Sequence, residues 1–204
     1  MALACPVSLN LDRLKNEIRQ TYASVARDPG GDFHFHRGPE YAARALGYDF
    51  AELLSLPTVS TAPFAGVGNP FLMDPLPSGA TVIDIGSGAG MDCLLAGRRV
   101  GPGGSVTGID MTDEMLDRAR SGSAEAGLRQ VRFEKGDISR IPIASGTVDV
   151  VISNGVFNLA PDKEALFSEI HRVMKRGGRL QFADITVSRD LSEDVRNDID
   201  LWTG

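Results

Sequence analysis

The sequence predicts an α/β fold, a doubly wound parallel sheet with helices on both faces, and two observations lead to that prediction. From residue 79 onward, five short apolar segments alternate with segments of helical periodicity. Such alternation is typical of parallel sheets, in which each helix carries the chain back to the start of the next strand. The apolar segments are also nearly continuous, which indicates strands buried on both faces.

The individual elements follow this alternation. The predicted strands lie in ATVIDI, GSVTGID, VRFEKGD, TVDVVISN and RLQFADI. The predicted helices between them lie in MDCLLAGRRV, TDEMLDRARSGSAEAGL and DKEALFSEIHRVMKRGG. The second of these helices has Thr112 or Asp113 as its expected N-cap and Gly127 near its end, because such residues satisfy the free backbone groups of helix termini.

The first 78 residues are organised differently. Residues 9–26 carry apolar side chains at helical spacing, and a second helical segment, EYAARALGY, ends near Gly47. Proline and glycine interrupt residues 28–39, and they predict an irregular stretch at residues 55–79. We therefore divide the chain into residues 1–78, an N-terminal helical extension that forms a lid, and residues 79–204, the domain that contains the sheet.

Charge and composition exclude several classes of partner. The net charge of −6 disfavours nucleic acid and anionic membranes, which attract basic surfaces. No apolar run approaches the roughly 20 residues of a membrane-spanning helix, and the N-terminus lacks the features of a signal peptide. The two cysteines, Cys5 and Cys93, predict no disulfide framework and fit a reducing compartment. We expect a soluble cytoplasmic protein.

Three acidic residues stand at the carboxyl ends of predicted strands, where sheets of this kind bind their ligands. Asp84 precedes the glycine loop GSGAG, Asp110 ends the second strand, and Asp137 follows the third. Asp84 suits a cationic ammonium group, Asp110 the hydroxyls of a ribose, and Asp137 the exocyclic amine of adenine. These acceptors, without a phosphate cradle, indicate S-adenosylmethionine.

The glycine loop itself argues against a dinucleotide. Its spacing is G-x-G-x-G, and Met91 stands where the pyrophosphate-binding fingerprint has its third glycine. A nicotinamide-dependent oxidoreductase is therefore disfavoured.

Four stretches of the chain carry a family resemblance. VIDIGSGAGMDCLLA, GSVTGIDMTDEMLDRAR, ISNGVFNLAPDK and RVMKRGGRLQFADI resemble class I S-adenosylmethionine-dependent methyltransferases, which have a Rossmann-like fold, and within that class the arsenite methyltransferases. The similarity runs from about residue 66 to the end of the chain. It implies these S-adenosylmethionine contacts: the methionine moiety at Asp84, Gly86, Ser87, Gly88 and Gly90, the ribose at Asp110, the adenine at Met111, Asp137 and Ile138, and the methyl group at Asn154.

The chain departs from the arsenite methyltransferases at the arsenic ligands. The resemblance implies that members of that family hold As(III) between cysteine thiolates, which are soft ligands for a soft centre. This chain has Val67 and Gly155 at two of those positions, and the third falls just past Gly204. Cys93 is expected to pack inward as a small hydrophobe.

Three functions stay open on these grounds. The first is a methyltransferase that acts on a small-molecule acceptor other than arsenite, and the second is an S-adenosylmethionine-binding module without turnover. The third is a true arsenite methyltransferase that uses thiols outside this segment. His34, His36 and Asn154 are the weak candidates for catalysis, and no metal site is expected because the two histidines lack a third ligand nearby.

The resemblance also raises the question of the sheet's edge. Class I methyltransferases have seven strands, and five are predicted here by residue 185, so we expect a domain truncated after the fifth strand. An unpaired edge strand invites association, and self-association through that edge is a prediction. The charged segment at 188–200 is predicted to begin a solvated helix.

Overall fold

The structure is a computed structural model that describes residues 11–186 and Ser188. Its centre is a parallel sheet with strand order β3-β2-β1-β4-β5. The strands are β1 (Thr81–Ile85), β2 (Ser105–Asp110), β3 (Val131–Lys135), β4 (Val148–Asn154) and β5 (Met174–Ala183). The chain winds outward from β1 in one direction as far as β3 and then returns to place β4 on the other side of β1. This order confirms the predicted doubly wound α/β fold.

Helices surround the sheet. They are α1 (Leu11–Arg27), α2 (Gly38–Leu46), α3 (Phe50–Leu54), α4 (Thr58–Thr61), α5 (Met91–Val100), α6 (Asp113–Glu125) and α7 (Lys163–Val173). Thr112 occupies the predicted N-cap position of α6, but its side chain makes no capping hydrogen bond. Gly127 lies just beyond the end of the helix with φ 67°.

The two faces of the sheet bury separate cores, because successive side chains of a strand point to opposite faces. One core packs α5 and α6 against Val82, Val106, Val150 and Ile152. The other packs α7 against Ile83, Ile85, Ile109 and Val151. Every one of these strand residues is at most 1% exposed, which explains why the strands lack the alternation of a half-exposed sheet.

The N-terminal region lies over the sheet domain. Leu14 and Ile18 of α1 pack with Met111 and Leu159, which stand beyond the ends of β2 and β4. The stretch predicted to be irregular is more ordered than expected, since it contains α4 and a 3-10 turn at Pro70–Leu72. The side chain of Asn69 caps that turn by accepting from the N–H group of Phe71 at 3.0 Å, a local signal among many prolines and glycines.

β5 is the last strand within the described residues, and Phe182 and Ile185 near its end are partly exposed, at 38% and 52%. The helix predicted at 188–200 lies outside the described residues, apart from Ser188. Self-association and the division of the chain at residue 79 remain predictions. Of the helices within residues 11–186, none combines the length and apolarity that crossing a membrane requires.

Gly97, in the buried face of α5, provides a test of the packing between α5 and β3. A Cβ atom at this position would overlap Cγ2 of Val131. Gly97→Ala gains up to about 1 kcal/mol of helix propensity, but overpacking a dense core costs roughly 1–3 kcal/mol. We therefore expect the free energy of unfolding in urea to fall by about 1–2 kcal/mol.

Gly103→Ala is the matched control, because a Cβ there would meet no atom within 4 Å. Its unfolding should match that of the unaltered chain. A Gly97→Ala variant as stable as that control would contradict the packing described for α5.

Candidate functional site

A cavity of about 160 Å³ lies at the carboxyl ends of the central strands, where the strand order reverses between β1 and β4. Its floor is the glycine loop after β1, and its walls come from the segments that follow β2, β3 and β4. Three residues of α1 and the 63–66 segment cover it. Of the predicted cofactor contacts, nine line this cavity: Asp84, Gly86, Ser87, Gly88, Asp110, Met111, Asp137, Ile138 and Asn154.

The glycine loop turns sharply between β1 and α5. Gly86, Gly88 and Gly90 have φ values of 69°, 51° and 88°, in the left-handed region that side chains disfavour. Gly90 is the N-cap of α5 and lies outside the cavity lining, where an added Cβ would stand 2.7 Å from Cζ of Phe133. The predicted contact at Gly90 is therefore not placed at the cavity; this glycine instead allows α5 to approach β3.

Asp110 fastens the glycine loop to the end of β2. One carboxylate oxygen accepts from the N–H group of Gly88 at 2.9 Å, and the other accepts from the N–H group of Thr112 at 2.8 Å. Burial raises the pKa of Asp110, while these backbone hydrogen bonds oppose that rise. The Thr112 hydroxyl and the N–H group of Met111 also donate to this carboxylate and lower its pKa, so a ligand diol would share its oxygens with these donors.

Asp137 is contacted by helix α1. One of its oxygens accepts from Nζ of Lys15 in α1 at 2.6 Å, and the other accepts from N and Oγ of Ser139 at 2.8 and 2.7 Å. Partial burial raises the pKa of Asp137, but the hydrogen bonds from Lys15 and Ser139 outweigh it and hold the pKa below its usual value. The predicted contact of Asp137 with adenine would therefore use a carboxylate that is already paired with Lys15, which lies 122 residues away in sequence.

Asp84 lies at the floor of the cavity. Its side chain is 2% exposed and accepts a hydrogen bond from Sγ of Cys93 at 3.2 Å. Burial and the neighbouring charge of Asp92 raise the pKa of Asp84 well above its usual value. Cys93 is fully buried, as predicted for a small hydrophobe, but its thiol is also the hydrogen-bond donor to this carboxylate.

Asp92 and Tyr48 are functional candidates that the sequence reading missed. Asp92, in the first turn of α5, lines the cavity and accepts from the hydroxyl of Tyr48 at 2.8 Å. Burial raises the pKa of Asp92 to about 6, although hydrogen bonds from Tyr48 and Asn154 lower it. An acid two residues past a glycine loop was a visible signal for Asp92, whereas Tyr48 becomes a neighbour only through tertiary packing.

The side-chain amide of Asn154, a candidate for catalysis, is hydrogen-bonded to other groups of the protein. Its Oδ1 accepts from the N–H groups of Val67 and Gly68 at 2.8 and 3.2 Å. Its Nδ2 lies 2.8 Å from the Gly68 carbonyl oxygen, 3.1 Å from the Tyr48 hydroxyl and 3.2 Å from Oδ2 of Asp92. The residue lines the cavity as predicted, but these contacts describe a positioning residue.

The two candidate histidines lie outside the cavity. The His34 ring meets Phe35 edge-on with centroids 5.2 Å apart, and the His36 ring packs on Tyr41 at 5.0 Å. Neither belongs to the cavity lining. Tyr22 of α1 does line it, and burial together with the charges of Asp110 and Asp184 raises the Tyr22 pKa to about 12.

Val67 and Gly155 are neighbours in space. A Cβ atom added to Gly155 would stand 3.3 Å from Cγ1 and 3.6 Å from Cγ2 of Val67. Gly155 has φ 71°, a conformation that side chains rarely adopt. The two positions at which the sequence reading noted missing cysteines thus form one apolar corner beside Asn154.

Residues 76–203 match the family model of the methyltransferase domain. The chain belongs to this family. Arsenite methyltransferase from Halobacterium salinarum is 42% identical over 159 residues, which are 78% of this chain and 40% of that protein. Arsenite methyltransferase from Aquipseudomonas alcaligenes is 38% identical over 144 residues, 67% of this chain and 40% of that protein. The chain thus spans about 40% of the length of these curated relatives.

Solved structures that resemble this chain are also methyltransferases. An arsenic(III) S-adenosylmethionine methyltransferase from Chlamydomonas reinhardtii superposes with a TM-score of 0.58 at 39% identity, over 65% of this chain and 46% of that one. A phospholethanolamine N-methyltransferase 2 from Haemonchus contortus, in complex with phosphomonomethylethanolamine and S-adenosylhomocysteine, superposes with a TM-score of 0.57 at 25% identity. That match covers 65% of this chain and 31% of the other. The Rossmann-like methyltransferase fold and the resemblance to arsenite methyltransferases are confirmed.

Asn154→Ala tests the positioning role of this amide in the methyltransferase domain. The change leaves the N–H groups of Val67 and Gly68 without their acceptor. A buried unsatisfied group costs about 1–3 kcal/mol, and the lower part of that range applies here because both groups are only partly buried. We expect the free energy of unfolding in urea to fall by about 2–4 kcal/mol.

Asn158→Ala is the matched control, because Oδ1 of that nearby asparagine is buried without a hydrogen-bond partner in the described residues. Its loss should change stability by less than about 1 kcal/mol. Equal effects of the two substitutions would show that the Asn154 contacts contribute nothing specific.

The raised pKa of Asp92 predicts a pH dependence of stability. A carboxyl group with a pKa of about 6 in the folded chain and 3.8 ordinarily binds its proton more tightly when folded. Its contribution to stability is therefore fully present below about pH 4 and is lost as the pH rises through about 6. We expect Asp92→Asn to flatten the urea-unfolding free energy between these pH values, relative to the unaltered domain.

The exposed acid Asp117, whose side chain is 77% exposed, provides the control for this pH series. Asp117→Asn should give a pH profile that overlays that of the unaltered domain. An Asp92→Asn profile that also overlays it would mean that Asp92 does not titrate in this range.

Proposed function

We propose that this methyltransferase domain uses S-adenosylmethionine to methylate a small-molecule acceptor other than arsenite. The observation that carries the proposal is the meeting of three strand-end carboxylates, Asp84, Asp110 and Asp137, in one cavity with the glycine loop. The names of the relatives support the reaction class, since two of them are arsenite methyltransferases.

The donor and acceptor groups of the cavity suit S-adenosylmethionine. Asp110 would accept hydrogen bonds from the ribose hydroxyls, since its carboxylate lines the cavity at the end of β2. Asp84 would compensate a cationic ammonium group, and Met111 and Ile138 offer apolar surface to adenine. When bound, the cofactor supplies an electrophilic methyl group on a sulfonium centre.

The chain's own contribution would be positioning and exclusion of water. Ile18, Val156, Leu159 and Pro161 give the remaining wall of the cavity an apolar surface. Such a wall excludes water from the reacting groups, and a fixed orientation of donor and acceptor lowers the barrier to a direct displacement. An acceptor that is already nucleophilic needs no general base.

The corner formed by Val67 and Gly155 supports an acceptor other than arsenite. Neither residue offers a soft ligand, and As(III) prefers thiolate sulfur. The buried thiol of Cys93 is occupied with Asp84, and both burial and the Asp84 charge raise its pKa well above the usual value, which disfavours the thiolate. These features favour an organic acceptor over free arsenite.

Two alternatives each have an observation in their favour. The 42% identity with an arsenite methyltransferase favours arsenic chemistry with thiols supplied from outside the described residues. The committed amide of Asn154 and the placement of His34 and His36 away from the cavity favour a binding module without turnover.

Calorimetric titration with S-adenosylmethionine and S-adenosylhomocysteine tests the cofactor. NADH is the comparison ligand, and we expect no heat from it. The same protein is then incubated with labelled S-adenosylmethionine and a glutathione adduct of arsenite, and we expect no methylated arsenic. Methylated arsenic in that tube would refute the proposed acceptor class, and binding of NADH alone would refute the cofactor.

Asp110→Ala tests the ribose contact. Loss of a charged acceptor should weaken S-adenosylhomocysteine binding by roughly 1–3 kcal/mol in calorimetry. Asp117→Ala on α6 is the control, because its exposed carboxylate pairs with Arg120 three residues away on the helix surface. Unchanged affinity in Asp110→Ala would place the ribose elsewhere.

A further inference from the structure

The floor of the cavity holds two buried carboxylates. Asp84 comes from β1 and Asp92 from α5, and their side chains are 2% and 5% exposed. Both belong to the cavity lining. The sequence and the family resemblance assign a role to Asp84 alone.

Uncharged donors hold both carboxylates in place. Asp84 accepts from the thiol of Cys93, and Asp92 accepts from the hydroxyl of Tyr48 and the amide of Asn154. Each carboxylate thereby keeps lone pairs for a further donor. These bonds fix the two groups at the same end of the cavity without supplying a cation.

The charges around the pair are mostly negative. Asp84 is subject to the charges of Asp92 and Asp110, and Arg99 is the cation that acts on Asp92. Arg99 itself forms an ion pair with Glu52 at 2.9 Å, and its Nη1 is buried without a hydrogen-bond partner in the described part of the chain. Two buried carboxylates, Asp84 and Asp92, that line one cavity favour binding of a cation or of protons.

We propose that Asp84 and Asp92 together bind the ammonium group of the methionine moiety, and that this binding releases protons to solvent. The inference rests on the proposed function, because it takes S-adenosylmethionine as the ligand. It adds Asp92 as a binding residue and makes affinity dependent on pH. The proton balance is simple: a carboxylic acid of the pair loses its proton to the buffer, and the carboxylate then pairs with the ligand's ammonium group.

The titration of the pair supports the direction of this linkage. Burial raises the pKa of Asp92 to about 6, and burial with the charge of Asp92 raises the pKa of Asp84 well above its ordinary value. Asp92 is therefore partly protonated at pH 6 when no cation is present. The neighbouring Tyr48 and Cys93 have pKa values raised well above their usual ones by burial, so they remain neutral over this range. Affinity for an ammonium ligand should accordingly rise between pH 5.5 and 7.5.

Two ligands separate this proposal from general nucleoside binding. S-adenosylhomocysteine carries the ammonium group, whereas 5′-methylthioadenosine has the same nucleoside and thioether without it. Each is titrated into the unaltered domain at pH 5.5, 6.5 and 7.5, in two buffers of different ionisation enthalpy. The difference in heat between the buffers gives the number of protons released.

We expect S-adenosylhomocysteine to release protons at pH 5.5 and 6.5 and to bind about fourfold more tightly at pH 7.5 than at 5.5, as a group with a pKa of about 6 requires. 5′-Methylthioadenosine should release no protons and keep its affinity within about twofold. Equal pH dependence of the two ligands would overturn the inference and leave the proposed function intact. Binding of neither ligand would overturn the proposed function and the inference with it.

Two variants assign the effect to Asp92. Asp92→Asn should reduce proton release and weaken S-adenosylhomocysteine about tenfold at pH 7.5, with 5′-methylthioadenosine unchanged within about twofold. Tyr48→Phe keeps the carboxylate but removes a donor that lowers its pKa, so proton release should persist to higher pH. Tyr48 lies outside the cavity lining, so the second variant tests the linkage even if the first one fails to fold. An unshifted release profile in Tyr48→Phe would overturn the role of Asp92.

Discussion

The cavity depends on the side-chain amide of Asn154, which hydrogen-bonds to three separate parts of the chain. It stands at the end of β4 and contacts the 67–68 segment, Tyr48 and Asp92. An amide combines an acceptor oxygen with two N–H donors, so one side chain can satisfy backbone and carboxylate groups at once. These contacts hold the 67–68 segment, Tyr48 and Asp92 in place at the end of β4.

Two glycines make that arrangement possible. A Cβ at Gly66 would lie 2.6 Å from Cγ of Asn154, and one at Gly68 would lie 2.6 Å from Cβ of Ala183 on β5. The 66–68 segment can therefore approach the strand ends only because these positions lack side chains. The same approach places Cγ1 of Val67 3.3 Å from the position that a Cβ at Gly155 would occupy, so the apolar corner is a consequence of the Asn154 contacts.

Sequence reasoning predicted the positions of those acids whose placement depends on the sheet topology alone. Asp84 and Asp110 lie at the carboxyl ends of β1 and β2, and Asp137 lies just past β3. Parallel strands end at one edge of a sheet, so the meeting of these acids could be predicted. The ion pair between Lys15 and Asp137 spans 122 residues of sequence. Helix α1, which carries Lys15, contains no recognisable motif, so no local pattern predicts this contact. Tyr48 and Asp92 likewise become hydrogen-bond partners through the path of the 47–80 segment. That path could not be predicted from the prolines and glycines of the segment.

The same contrast applies to the two histidines, whose catalytic role stays a prediction. A pair of alternating histidines is a chemical signal in sequence, but its position in space is set by the packing of Phe35 and Tyr41 around it. Asn154 was correctly placed at the cavity because it ends a strand. Its role as a positioning residue could not be predicted, since that role depends on backbone groups 86 and 87 residues away.

The charge of the cavity limits the ligands that it can accept. Asp84 and Asp92 are buried there, Asp110 is half-buried, and Lys15, a cation that lines the cavity, is already paired with Asp137. A ligand with a pyrophosphate would bring two further negative charges towards these carboxylates in a poorly hydrated space, where like charges repel strongly. An adenosine whose other end is cationic relieves that repulsion instead. The electrostatics of the floor therefore disfavour a nicotinamide dinucleotide for a reason independent of Met91, and they favour the sulfonium and ammonium groups of S-adenosylmethionine.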